Sequence, residues 1–283
     1  MSNEVAVKEN TVQKVETKTS LKSLLNSPAI KAKFEEMLGN RTSSFLSSII
    51  SAVSTNKQLG ACEPMSVITA AAIAASVNLP INSSLGFAHI VPYKGIAQFQ
   101  MGWKGFVQLA LRSGQYQTIN LSPVYTGQIR NHNPFTGTME FSAEPVTDFT
   151  FGNQIGYLLY FKLMNGYEKY FFMTKQECEH HGKKYSQSFK KGYGLWVDNF
   201  EAMALKTVAK LGLSKYGILS VEMQTAIELD QVIANEKGDH VYIDNPPEDD
   251  KPKVSSLNDK LKNKEVDPPE IDLTEKIDDK AKV

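Results

Sequence analysis

The sequence predicts an α+β fold: a helical layer with a β-hairpin and a small antiparallel sheet backing a basic groove, flanked by disordered termini. Three observations carry that expectation. Apolar residues recur at helical spacing from Pro28 to about Ala75 and again from Leu195 onward. Between them, around residues 87–174, strand-like alternation dominates, broken by Lys94-Gly95 and Asn165-Gly166 turn signals. Finally, no aspartate or glutamate occurs between Glu63 and Glu140, although the chain holds 31 acids among 283 residues. So long an acid-free stretch suits a face laid against something negative, or a buried uncharged core.

In chain order, Met1 to Thr19 is polar without a sustained period and is expected to be disordered. Ser27-Pro28 starts a helix, serine as N-cap and proline in the first turn, running through Phe34 and Leu38 to Gly39. A second helix covers about Thr42 to Thr55, with Phe45, Ile49 and Val53 at spacings of four. A third follows Pro64, where Val67, Ala71, Ala74 and Ala75 make a close-packing face suited to subunit contacts as much as to a core.

Phe87 to Tyr93 reads as a strand, Lys94-Gly95 as a turn, and Ile96 to Met101 as the returning strand, with Gln98 and Gln100 on one face and Phe99 and Met101 on the other. Trp103 to Ser113 is an amphipathic helix ending at Gly114, with Lys104, Gln108 and Arg112 along one edge. From Tyr116 to Thr174 the pattern is mostly strand; Asn165-Gly166 predicts a type I′ turn. A short helix spans Met173 to Gly182. Lys183, Lys184, Lys190 and Lys191 then lie among Tyr185, Phe189 and Tyr193, reading as a basic mobile loop. Leu195 to Leu213 is predicted as one long helix with Asn199, Lys206 and Lys210 on one edge, and a last helix runs from about Ser220 to Glu236. The domain expectation is a disordered segment 1–20, one folded domain 21–236, and an acidic disordered tail 237–283.

The formal net charge of zero conceals an asymmetry. From Asp239 onward there are 13 acids and 8 lysines, so that segment carries −5 and the body +5. A basic body with an acidic tail is a nucleic-acid-binding pattern. Cys62 and Cys178 form no CxxC pair, which speaks against a disulfide framework or structural zinc and fits a reducing compartment. The longest apolar run, Val67 to Val77, is too short to span a bilayer, and the polar start carries Glu4, Glu9 and Glu16, unlike a signal peptide. A cytoplasmic protein without membrane partners is expected.

No phosphate-loop or dinucleotide glycine motif is present. Cys178, His180 and His181 sit close in sequence, but one short helix cannot aim all three at one ion. No cofactor, metal or catalytic set is expected. Candidate nucleic-acid contacts follow from residue type. Trp103 and Phe106 either stack on bases or form the core side of their helix. Gln98 and Gln100 either bond phosphates and bases or lie on a plain solvated face. Lys94, Lys104, Arg112, Lys206 and Lys210 are phosphate-contact candidates, and Lys183, Lys190 and Lys191 a flexible clamp.

The segment Asn78-Leu-Pro-Ile-Asn-Ser-Ser-Leu-Gly-Phe-Ala-His-Ile-Val-Pro-Tyr93, followed by Gln100-Met-Gly-Trp-Lys-Gly-Phe106 and Leu109-Ala-Leu-Arg-Ser-Gly114, resembles the RecT family of phage single-strand annealing proteins. Met203-Ala-Leu-Lys-Thr-Val208 resembles the family's second hallmark, and Trp103 stands where the family often has tyrosine. The resemblance spans roughly Pro28 to Leu229. It implies a non-enzymatic, ATP-independent recombination protein that oligomerises as rings or filaments on single-stranded DNA and anneals complementary strands through a duplex intermediate. Its implied partners are a phage 5′→3′ exonuclease and the host single-strand-binding protein, in the bacterial cytoplasm. The implied groove takes in Lys94, Gln98, Gln100, Trp103, Lys104, Phe106, Arg112, Lys206 and Lys210; Lys183, Lys190, Lys191 and Asn199 join the DNA-contact candidates from the residue pattern alone. A metal-dependent nuclease and a non-recombinogenic DNA-binding replication accessory stay open as alternatives.

Overall fold

A computed structural model describes residues 20–234 and 240–242. The expected N-terminal segment up to residue 19, and the expected tail apart from residues 240–242, lie outside the described residues.

Local capping sets the helical layer. Ser20 caps α1 (Leu21–Leu25) by accepting from the Ser23 amide. Pro28 opens α2 (Pro28–Leu38), while the Ser27 side chain makes no capping bond, so proline's fixed φ sets that start. Gly39 ends α2 at φ 53°, where a side chain would be strained. The Thr42 hydroxyl donates to the carbonyls of Phe34 and Gly39, pinning α3 (Thr42–Thr55) to α2. Asn56 caps the short α4 (Lys57–Gly60). In α5 (Pro64–Ser76), Val67, Ala70, Ala71, Ala74 and Ala75 are all buried. Of the two uses open to the alanine face, core and subunit contact, packing inside the chain takes it. Its small side chains let α5 lie close against α1, α2 and the hairpin.

Strands β1 (Ala88–Tyr93) and β2 (Ile96–Met101) pair antiparallel from Ala88↔Met101 to Tyr93↔Ile96. Lys94 (φ 48°) and Gly95 (φ 83°) are both left-handed, the conformation a two-residue hairpin turn of type I′ requires. Two bonds tie the hairpin to the start of α5: the Glu63 amide donates to the Gly95 carbonyl, and the Ala97 amide to the Ser66 hydroxyl. Helix α6 (Trp103–Arg112) follows at once, burying Phe106, Leu109 and Ala110. Its first turn passes so close to the Phe87 carbonyl that a Cβ at Gly105 would stand 2.3 Å from that oxygen.

Next come β3 (Tyr116–Tyr125), β4 (Ile129–Asn133), β5 (Thr138–Phe141), β6 (Gln154–Leu163) and β7 (Glu168–Thr174). They form a three-stranded antiparallel sheet in the order β3-β6-β7 and a separate β4–β5 hairpin. The β6–β7 turn differs from the type I′ expectation, since Gly166 (φ 89°) alone of its loop is left-handed. The Gly166 amide donates to the Leu163 carbonyl, the Leu163 amide to the Tyr167 carbonyl, and the Tyr167 amide to Asn165 Oδ1. That is a three-residue loop closed by a glycine bulge, in which asparagine serves through its side chain.

A capping box of Thr174 and Glu177 starts α7 (Lys175–Tyr185). The expected mobile basic loop is instead structured: Ser186 caps α8 (Gln187–Lys190), and Phe189 stacks on Trp196 at 5.5 Å. The predicted single helix from Leu195 is two, α9 (Leu195–Asp198) and α10 (Phe200–Tyr216). Asn199 leaves helical geometry (φ −148°, ψ 65°) and caps α10 by accepting from the Ala202 amide. Likewise α11 (Val221–Leu229) stops short of Glu236. The chain turns at Asp230 and at left-handed Gln231 (φ 68°) into β8 (Val232–Ala234), which pairs with β9 (His240–Tyr242). The architecture is α+β, its core running from the helical layer through Phe99 and Phe106 to Tyr157, Leu159, Phe161 and Leu213.

Candidate nucleic-acid interface

Where the hairpin and the start of α6 face the α9–α10 break, they enclose a cleft of about 580 Å³. Gln58, Ser84, His89, Gln100, Trp103, Lys104, Asn199, Met203 and Lys206 line it, and Asp198, at the end of α9, brings an acid to the facing side. Trp103 is half-buried, packed on the core by one side, and Lys104 is exposed, its Nζ 5.6 Å from the Trp103 ring centroid. An aromatic face and an ammonium therefore stand side by side at the cleft mouth, the pairing that can meet a base and its phosphate. Burial, aided by the Lys206 charge, pushes the His89 imidazole below its ordinary pKa. It is thus a neutral hydrogen-bonding group at pH 7, not a cation.

Lys206 and Lys210 do not project along an open helix edge, as their spacing predicted. Asp230, fully buried, receives Lys206 Nζ on Oδ1 and Lys210 Nζ on Oδ2, each at 2.9 Å. The Met101 amide donates to Oδ1 as well, also at 2.9 Å. Burial alone would push this carboxyl up, but the two ammonium charges and their hydrogen bonds outweigh it and hold it below the usual carboxylate range. The next residue donates its amide to the Phe99 carbonyl. One carboxylate thus joins α10, the end of β2 and the turn after α11. A second, smaller cavity of about 270 Å³ adjoins this cluster, lined by His181, Tyr185, Trp196, Lys206, Lys210 and Asp230. Burial, reinforced by Lys210, Lys184 and His180, pushes the His181 imidazole down to about 4.

The remaining candidates separate by exposure. Phe106 is fully buried, so it belongs to the core and has no face for a base. Gln98 is only 4% exposed and its Oε1 meets no partner, while Gln100 is 9% exposed at the cleft wall. The open glutamine face expected of β2 does not exist, because both sides of this strand are covered. Asn199 lines the cleft but its side-chain oxygen is taken by the α10 cap. Lys94 is exposed at the hairpin tip, beside Tyr93. Lys183 is exposed and paired with Glu179 at 2.6 Å; Lys190 and Lys191 are exposed on and after α8. Arg112 lies at the far end of α6, away from the cleft. Of the basic candidates, Lys104 and Lys206 line this cleft, and Lys94, Arg112, Lys183, Lys190, Lys191 and Lys210 do not.

Among the described residues no group of three His, Cys, Asp or Glu side chains could hold a metal. Burial, with a lesser contribution from Glu177, pushes the Cys178 thiol up to about 12. No helix among the described residues is long and apolar enough to cross a membrane.

Comparison with known proteins adds a family. The model of the RecT family matches residues 43–246. The chain is 44% identical over 253 residues to the uncharacterized protein YqaK of Bacillus subtilis (strain 168), covering 87% of each. It is 26% identical over 228 residues to protein RecT of Escherichia coli (strain K12), covering 74% of this chain and 79% of that one.

Proposed function

The chain belongs to the RecT family, and from that premise we propose that it binds single-stranded DNA, assembles with further copies along it, and anneals complementary strands without nucleotide hydrolysis. The observation that carries this reading is the Trp103–Lys104 pair at the mouth of the cleft, on a wall built from the acid-free stretch. A strand laid there has a ring face for one base and an ammonium for a neighbouring phosphate. Neither contact reads base identity, which suits a protein that must accept any sequence.

Annealing needs no fuel on this account. Neutralised phosphates repel an incoming strand less, and each stacked step of the new duplex supplies on the order of 1.4 kcal/mol. The protein lowers the encounter barrier while base pairing drives the reaction. A 5′→3′ exonuclease that exposes the strand, and a host single-strand-binding protein that covers it, are the partners this role calls for.

The test uses the full chain, a labelled oligonucleotide and its complement, without ATP. Wild type is expected to bind at low salt and to accelerate duplex formation. Trp103→Ala should weaken binding by about 1–3 kcal/mol, the range for losing one base–aromatic stack. A folded Trp103→Ala protein that binds and anneals like wild type would reject the cleft assignment. Magnesium-dependent degradation of the probe would instead favour a nuclease.

A further inference from the structure

The turn that follows α5 gathers two arginines that flank it in the sequence, 37 residues before Asn78 and 35 after Val77. Arg41, at the start of α3, donates through Nη1 to Asn78 Oδ1. Arg112, in the last turn of α6, donates through Nη1 to the Val77 carbonyl at 3.3 Å. Leu79 is 1% exposed and anchors this turn in the core, and Asn78 itself is left-handed (φ 53°). Both guanidiniums are therefore tethered to adjoining residues of one fixed turn. Each uses one N–H there and keeps four further donors.

Between them lies a cleft of about 260 Å³, with Ser44 and Ser48 on one side and Leu38, Phe45, Leu79 and Pro80 as its apolar floor. No acidic side chain lines it. One acid, Glu222 at the start of α11, feels the Arg112 charge. Its carboxyl is held low first by its own amide and the Ser220 hydroxyl, and only lastly by Arg112. Two positioned guanidiniums above an apolar floor match a phosphate with its sugar, and arginine's fork suits that anion better than lysine does.

The cleft is also placed to continue the first one. Lys104, Gln108 and Arg112 follow one another at every fourth residue along one edge of α6, with Lys104 and Arg112 exposed. At about 1.5 Å per residue, that edge covers ~12 Å. A strand rising ~3.4 Å per nucleotide crosses it in about four nucleotides.

We propose that Arg41 and Arg112 form a second phosphate subsite, so that each copy grips a single strand at both ends of α6. This rests on the single-stranded DNA reading above. The ligand is the sugar–phosphate backbone, held without reference to base identity.

The experiment measures affinity of the full chain for an oligothymidylate of about 30 nucleotides, several times a typical single-strand footprint, across a salt series. The Arg41→Ala/Arg112→Ala protein should bind about tenfold more weakly, and its plot of log affinity against log salt should flatten by about 1.4, two contacts at ~0.7 each. A purely structural role for the arginines would leave that slope unchanged. Should the double variant fail to fold by circular dichroism, Ser44→Glu decides instead. It puts a like charge into the cleft from an exposed position and should weaken binding to a similar degree. Wild-type affinity and slope in either folded variant overturn the subsite while leaving the DNA reading intact. Absence of any wild-type binding at low salt overturns both.

Discussion

Two helix edges looked alike in the sequence. Lys104 on α6 and the Lys206–Lys210 pair on α10 all stood along one edge of a predicted helix. In the fold they sit in opposite environments. Lys104 is exposed beside Trp103, whereas Lys206 and Lys210 converge on Asp230, with side chains only 8% and 28% exposed. Helical spacing says which residues share an edge. It does not say whether a distant carboxylate will occupy that edge, and here a residue 24 positions downstream of Lys206 does so. An exposed ammonium tunes binding through counterions, while a buried, paired one holds architecture.

The comparison breaks most easily at its buried end. Asp230→Ala leaves two ammoniums and the Met101 amide without their acceptor. The expected loss is about 3–5 kcal/mol of unfolding free energy, read from denaturant titration. A stability unchanged within error would show that the cluster is not holding the fold.

A sharper contrast comes from removing one lysine at a time. Lys210→Ala should cost about 1.5–3 kcal/mol of stability, the range for a hydrogen bond to a charged group, and leave the salt dependence of DNA binding where it was. Lys104→Ala should do the reverse, changing stability by less than about 0.5 kcal/mol while flattening the salt slope by ~0.7. Equal behaviour of the two variants in either assay would mean that Lys104 and Lys210 do not differ in kind.

A last effect concerns acid sensitivity beside the Asp230 cluster. His181 is pushed down to about 4 from an unfolded value near 6.5. A depressed folded value means that stability is fully present above the unfolded pKa and falls as pH drops from about 6.5 toward 4. Asp230, also depressed, loses its contribution only below the ordinary carboxylate range. His181→Gln should therefore flatten the decline between pH 6.5 and 4 in urea melts and leave the steeper loss at lower pH. An identical profile in the variant would remove His181 as its source.

What was legible in the sequence was local. Thr42–Thr55 has the predicted bounds, and the Lys94-Gly95 turn set the β1–β2 register, because capping and turn chemistry act within a few residues. What was illegible depended on packing between distant segments. Phe106 and Gln98 fell on candidate contact surfaces, but burial of α6 and both faces of β2 is decided by other elements. Asn199 broke the predicted helix by capping α10, and an asparagine just before the apolar-periodic run was the signal available for that break. Asp230 had a fainter one, a lone acid between Leu229 and Val232-Ile233. Arg41 was missed because it precedes the acid-free stretch and meets Arg112 only through the turn at Asn78.

The carboxylate at Asp230 also fixes where a shortened version of this protein can end. A cut placed after α11, although it spares every helix, strips the counter-charge from α10, the acceptor from the Met101 amide and the Gln231 donor from the Phe99 carbonyl. Any trimmed form meant for crystals or for fusion to a tag must therefore carry the chain past Gln231.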